Sequence, residues 1–303
     1  MHRYLIALLI GLACALPALA EDGPAVWRGN GVVTGGKGYA TTPMGQVHYR
    51  DVGPRDTAAP FLLLHQSPMS MIEFAEIQNA MAAQGYRAIA VDTPGYGMSD
   101  MPKGKPGIAD FADNLVPLLD ALKIKKVTLG GHHTGASIAV AFAARHPDRV
   151  AAVVIHGVPY YNAEERAERL KRPIAERPLK SDGSHLSEYF KYALNRGPGD
   201  PTAFENMRNA TWSTINFHLY EHDVGHGAVF IYEMEPDLKK ISAPTLVLTD
   251  AKDPLHNNDL RATKLRPEFT LQEFSQTGMM STMNEPKRWA DIAVAFAKAH
   301  PAK

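Results

Sequence analysis

The segment Lys126-Val-Thr-Leu-Gly-Gly-His-His-Thr-Gly-Ala-Ser-Ile-Ala-Val-Ala-Phe-Ala-Ala-Arg145 passes from one kind of secondary structure to another within five residues. Val127 to Leu129 is a short apolar run with the character of a buried strand. Ala136 to Arg145 is rich in small helix formers. Between them lies Gly131-His132-His133-Thr134-Gly135. A strand that turns this abruptly into a helix forces its central residue into a strained, positive-φ corner. Glycines on either side let strand and helix approach each other. The first amides of the helix then face whatever the central side chain holds. In this chain the central residue is His133.

Outward from this corner the chain alternates strand and helix. Tyr39 to Arg50 reads as a hairpin turning at Pro43-Met44-Gly45, and Glu21 to Gly38 before it reads as a loose arm. Phe61 to Leu64, Ala88 to Val91 and Val150 to Ile155 are fully apolar runs of the kind buried on both faces of a parallel sheet. Ile72 to Gln84 and Asp110 to Leu122 have helical spacing. This alternation predicts a doubly wound, mostly parallel α/β sheet, with His65, Asp92, His133 and His156 gathered at the carboxyl ends of the strands. From Tyr160 to Glu235 the alternation stops in favour of a polar, helical pattern, predicting a cap inserted after the sixth strand. Thr245 to Thr249 and Phe269 to Phe274 restore the strands, and Trp289 to His300 closes the chain as a helix. The expected division is 1–20 leader, 21–159 core, 160–235 helical cap and 236–303 core.

Composition narrows the function classes. The 303 residues include 32 basic and 32 acidic side chains, a formal charge of zero, which gives no electrostatic reason to expect nucleic acid or an anionic membrane as partner. His2-Arg3, the apolar run Leu5 to Leu16 and Ala18-Leu19-Ala20 before Glu21-Asp22 have the form of a secretory signal peptide cut after Ala20. The apolar run is short for a membrane span, an uncleaved anchor being the alternative. Cleavage removes Cys14, the single cysteine, and with it disulfides, thiol nucleophiles and cysteine zinc sites. A periplasmic or secreted protein acting on a small molecule is expected, with no cofactor and with oligomeric state open.

Five motifs in order carry a resemblance to the capped α/β-hydrolase superfamily, the broad group of haloalkane dehalogenases, epoxide hydrolases and C–C bond hydrolases. Gly131-x-His133-x-Gly135 resembles its nucleophile elbow. His65-Gln66-Ser67-Pro68 resembles the H-G-x-P turn, with Gln for Gly. Asp92-x-Pro94-Gly95-x-Gly97-x-Ser99 is similar throughout to D-x-P-G-x-G-x-S. Asp253-Pro254 after the Thr245 strand resembles the loop of the family's acid, and Gly278 to Pro286 resembles G-H-x(5)-E-x-P. The resemblance implies His133 at the nucleophile position, Asp253 as acid and Met279 where the base histidine belongs. It also implies oxyanion donors at the amides of Ser67 and Thr134. With two triad members replaced, a hydroxyl activated by a histidine cannot operate here.

Several readings of the site follow. His133 can act as general base or nucleophile, its basicity lowered by the helix N-terminus beside it, with Asp253 orienting it if that acid reaches so far. Ester or lactone hydrolysis, or lyase-type acid–base chemistry, would result. A catalytically silent ligand-binding protein is the rival. A metal site is a lesser alternative, since His218, His222 and His226 stand at i, i+4, i+8, where His65 or His133 could complete a set. His65, Gln66, Asp92, His156, His226 and Met279 are expected around the pocket, and His132 is expected to point away from it and to pack or meet solvent.

Overall fold

The computed structural model describes residues 25–28, 31–171, 179–195, 200–219 and 223–302. The expected leader, Met1 to Ala20, lies outside them, as does His222. In chain order the elements begin with β1 (Ala25–Arg28), β2 (Gly31–Thr42), β3 (Gly45–Val52), β4 (Phe61–Leu64), α1 (Ala75–Ala83) and β5 (Ala88–Val91). Then come α2 (Ile108–Asp113), α3 (Leu115–Ala121), β6 (Val127–His132), α4 (Thr134–Arg145) and β7 (Val150–His156). Helices α5 (Ala163–Leu170), α6 (Ser184–Leu194), α7 (Phe204–His218), α8 (Val224–Ile231) and α9 (Glu235–Lys240) follow without a strand. The chain closes with β8 (Thr245–Asp250), α10 (His256–Leu265), β9 (Thr270–Ser275), α11 (Ser281–Asn284) and α12 (Pro286–Ala299).

The strands lie in the order β1-β2-β3-β5-β4-β6-β7-β8-β9. From β5 to β9 every pairing is parallel, whereas β3 runs antiparallel to both β2 and β5. Strands β4, β5, β6 and β8 are buried along their whole length, as two-sided covering requires. One face carries α2, α3, α4 and α9 over Leu62, Leu64, Ile89, Leu129 and Ile155. On the other face α1 and α12 cover Leu63, Ala90, Val154 and Leu248.

Two details differ from the sequence reading. The arm expected over Glu21 to Gly38 is largely strand, because β2 begins at Gly31 and pairs first with β1 and then with β3. The helical insertion follows β7, the sixth of the eight strands β2 to β9, as expected. The segment Asp110 to Leu122 is two short helices meeting at Asn114, with Pro117 in the first turn of the second, a position that needs no amide donor.

Helix α4 is buried on nearly all sides from Thr134 to Ala143, so its small residues reflect contact with neighbours around its circumference. At Gly135 a Cβ would lie 1.9 Å from the carbonyl oxygen of Leu64. Only glycine lets α4 sit against the end of β4.

The opposite face depends on Trp289 of α12, which is fully buried and meets Phe74 edge to face at 5.8 Å between ring centroids. Trp289→Ala is expected to cost about 3–5 kcal/mol of folding stability. The urea midpoint checks this, and a loss below about 1 kcal/mol would mean that α12 is held by something other than this ring.

Candidate active site

The ends of β6, β7 and β8 bring the key residues together. His133 occupies the corner after β6 with φ +47° and ψ −109°, a positive φ that the tight turn imposes. Its amide donates to the carbonyl of His156 at 3.0 Å, and its carbonyl accepts from the amide of Ser137 at 3.1 Å. Asp253 stands in the loop after β8, where its amide donates to Asp250 at 2.9 Å and its Oδ1 accepts the Leu255 amide at 2.7 Å. Its Oδ2 meets Nε2 of His133 at 2.7 Å. The acid therefore does reach the elbow. Gly157, with φ +61°, supplies the room: a Cβ there would lie 2.3 Å from Cδ2 and 2.5 Å from Nε2 of His133.

The electrostatics reverse one expectation. Burial works against a charged ring at His133, but the charge of Asp253 and its hydrogen bond outweigh it and hold the imidazole above its ordinary 6.5. The helix N-terminus was expected to lower it, yet a carboxylate in direct contact is the stronger influence. Burial likewise favours a neutral Asp253, and the facing His133 overrides it, placing the acid well below the usual carboxylate range. Asp259, fully buried nearby, is pushed well above that range by desolvation. The dyad thus has one ionised acid, Asp253.

His132 packs and does not meet solvent. It is fully enclosed, its ring centroid lies 4.3 Å from that of His133, and its Nδ1 pairs closely with Oε1 of Glu73. Glu73 also accepts the Gln66 amide at 2.9 Å and the Thr282 hydroxyl at 2.8 Å. Burial favours its neutral form, but the nearby histidines and donors hold its carboxyl below the ordinary value. Glu73 was missed in sequence because its partner stands 59 positions away. It is nonetheless an acid in the otherwise apolar run Met71-Ile-Glu-Phe74, which is the one signal that could have drawn notice.

The other expected pocket residues divide. His65 bonds the Gln66 carbonyl through Nδ1 and accepts the Thr93 amide at Nε2, so it braces the turn. Gln66 reaches the backbone carbonyl of Met279 at 3.2 Å and seals the same turn. Asp92 borders a small cavity together with Val47, Leu64 and Phe111. Its carboxylate accepts from Met71, Met98 and His48, and the cavity, about 10 Å³, has room for about one water. His156 is also closed off, packed against His132 and Phe274 with both nitrogens unpartnered, and burial drives its basicity well below ordinary. The amide of Ser67 lies 3.4 Å from the Thr134 hydroxyl, and the Thr134 amide is the first of α4, a donor with no intrahelical acceptor.

Helix α8 returns to this rim. The Gly225 amide donates to the Tyr96 hydroxyl at 2.7 Å; that hydroxyl also receives Ser67 Oγ at 2.9 Å and contacts Asp223, whose other oxygen meets Nδ1 of His226 at 2.6 Å. Of the expected histidine trio, His218 and His226 do not share a helix, and His222 lies outside the described residues. Helix α7 ends at His218, which turns back onto the Thr214 carbonyl, and His226 belongs to the separate α8.

The pair sets a pH window. The raised His133 contributes stability that is full below 6.5, its unfolded value, and lost as pH rises through its folded value. The depressed Asp253 contributes above 3.8 and loses it as pH falls through its own folded value. Asp253→Asn is therefore expected to cost about 3–5 kcal/mol near pH 5 and less at pH 9. Chemical denaturation at both values checks this, and an equal loss at both would mean that His133 keeps one charge state across that range.

Residues 59–278 match the family model described as alpha/beta hydrolase fold. A haloalkane dehalogenase of Psychrobacter cryohalolentis is 36% identical over 110 residues, 36% of this chain and 36% of that protein. A non-heme chloroperoxidase of Streptomyces lividans is 34% identical over 291 residues, 86% of this chain and all of the other. Among solved structures, the enol-lactonase of Burkholderia xenovorans superposes with a TM-score of 0.67 at 22% identity, covering 86% of this chain and 100% of that one. The strand order, the elbow and these similarities lead to one family, and an epoxide hydrolase of Mycobacterium tuberculosis is also among the relatives, 34% identical over 118 residues, 38% of this chain and 33% of that protein. The chain belongs to the α/β-hydrolase family.

Proposed function

We propose that the protein is an exported hydrolase of small carbonyl compounds, esters or lactones, that works through a His133–Asp253 dyad beneath a cap formed by residues 160–235. The observation that carries this reading is the 2.7 Å contact between His133 Nε2 and Asp253 Oδ2. A carboxylate in that position fixes the proton of the neutral ring on Nε2 and leaves Nδ1 as the lone-pair nitrogen. Among the described residues none bonds Nδ1, and the side chain keeps 11% of its surface exposed. Nδ1 then takes a proton from water as the water oxygen bonds to the substrate carbonyl carbon. The resulting oxyanion is received by the amides of Thr134 and Ser67. When the carbon–oxygen bond to the leaving group breaks, the leaving alkoxide recovers the proton from Nδ1. Met279 has no part in proton transfer, so the imidazole of the elbow does the work that the family assigns to a separate histidine.

The test is hydrolysis of a short-chain ester and lactone panel by the mature protein and by His133→Ala. Turnover is expected in the wild type and a fall of about a hundredfold or more in the variant. No turnover in either would overturn the reading and favour a ligand-binding protein; equal turnover in both would remove His133 from the chemistry. The rate should rise with pH as His133 loses its proton, since the neutral ring is the base. Removing the carboxylate in Asp253→Asn should lower the rate and move that rise to lower pH, because Asp253 is what holds the imidazole high. A rise that stays in place would assign it to another group.

A further inference from the structure

We propose that His132, His133 and Asp253 form a binding site for one divalent transition-metal ion of the zinc type. The potential ligand atoms of these three buried residues lie within 4.8 Å of one another. Two imidazoles and one carboxylate are a donor set suited to such ions, and three protein ligands leave a fourth position open. The inference concerns the same side chains as the proposed hydrolysis but does not depend on it.

The independent observation is the unpartnered nitrogen of His132. Its Nδ1 is taken by Glu73, while Nε2 is fully buried with no hydrogen-bond partner. Whether Nε2 carries a proton or a lone pair, a buried polar atom without a partner is uncommon and calls for a reason. A metal ion supplies one. Carboxylate-to-histidine contacts of the Glu73 kind are what orient ligating imidazoles, fixing the proton on the far nitrogen and directing the lone pair at the ion. Glu73 is itself held by the Gln66 amide and the Thr282 hydroxyl, so the supporting contact is rigid.

Charge and size agree. Asp253 in coordination and Glu73 behind His132 bring two negative charges to a dication in a closed site, where an unbalanced ion would be costly. Ligand bonds of 2.0–2.2 Å in tetrahedral geometry separate two ligand atoms by about 3.3 Å. His133 Nε2 and Asp253 Oδ2, now 2.7 Å apart around a shared proton, need open by only about half an ångström to exchange it for the ion. The open fourth position takes water, whose ionisation the ion would promote.

The experiment is titration of Zn²⁺ into chelator-treated mature protein, followed by calorimetry and by elemental analysis after gel filtration, with Co²⁺ absorption reporting the geometry. One ion per chain and a tetrahedral Co²⁺ spectrum are expected. His132→Ala should abolish stoichiometric binding, Glu73→Gln should weaken it by about 10–100-fold, and His300→Ala should leave it unchanged. Circular dichroism checks that each variant is folded; should His132→Ala not fold, X-ray absorption of the zinc-loaded wild type identifies the nitrogen and oxygen ligands instead. Absence of one-to-one binding by the wild type, or binding indifferent to both His132→Ala and Glu73→Gln in folded protein, would overturn the proposal. Ester hydrolysis is measured in parallel on chelated and zinc-loaded protein. A failed titration then leaves the dyad reading standing, and absent hydrolysis leaves the titration standing.

Discussion

The contact between His133 Nε2 and Asp253 Oδ2 joins positions 120 residues apart and sets the character of the rim. It depends on three neighbouring parallel strands, β6, β7 and β8, ending at one level, so that the elbow after the first faces the acid after the third. It depends equally on Gly157 between them, because any side chain there would occupy the space of the imidazole ring. A single interaction thus draws on strand register, a strained corner and a missing Cβ.

That arrangement changes what the family scaffold offers. The usual assembly spends separate positions on a nucleophile and on the base that activates it. Here one imidazole stands at the nucleophile corner and meets the acid directly, while position 279 carries a methionine. A second carboxylate–imidazole pair, Glu73 with His132, lies immediately behind the first. Two acids and two imidazoles at the end of one strand form a polar cluster, closed from beneath by His156 and Phe274 and from the side by the sealed turn at Gln66. The first amide of α4, that of Thr134, stands beside this cluster as a backbone donor that does not depend on side-chain identity.

Much of this was legible in sequence because it is local. The strand-to-helix corner, the buried parallel strands, the Asp253 loop and the helical insertion are written in runs of adjacent residues whose period or glycine spacing carries the signal. The N-terminal arm was misread because Gly31 to Gly38 is glycine-rich, and its strand exists through pairing with β3, not through its own composition. His218 and His226 parted for the converse reason: regular spacing suggested one helix, whereas α7 ends at His218 and α8 starts at Val224.

The sequence by itself determined the α/β architecture, the placement of His133 between the elbow glycines and a methionine at position 279, because each is a matter of residue type at a position set by local pattern. Only the tertiary structure decided that Asp253 reaches His133, that His132 turns inward to Glu73, and that the elbow imidazole is more basic than a free one, not less. These are contacts of a few ångströms between segments 59 to 120 residues apart. At such distances the nearest charge outweighs a helix end, and neither the distance nor the neighbour is encoded in any local run of residues.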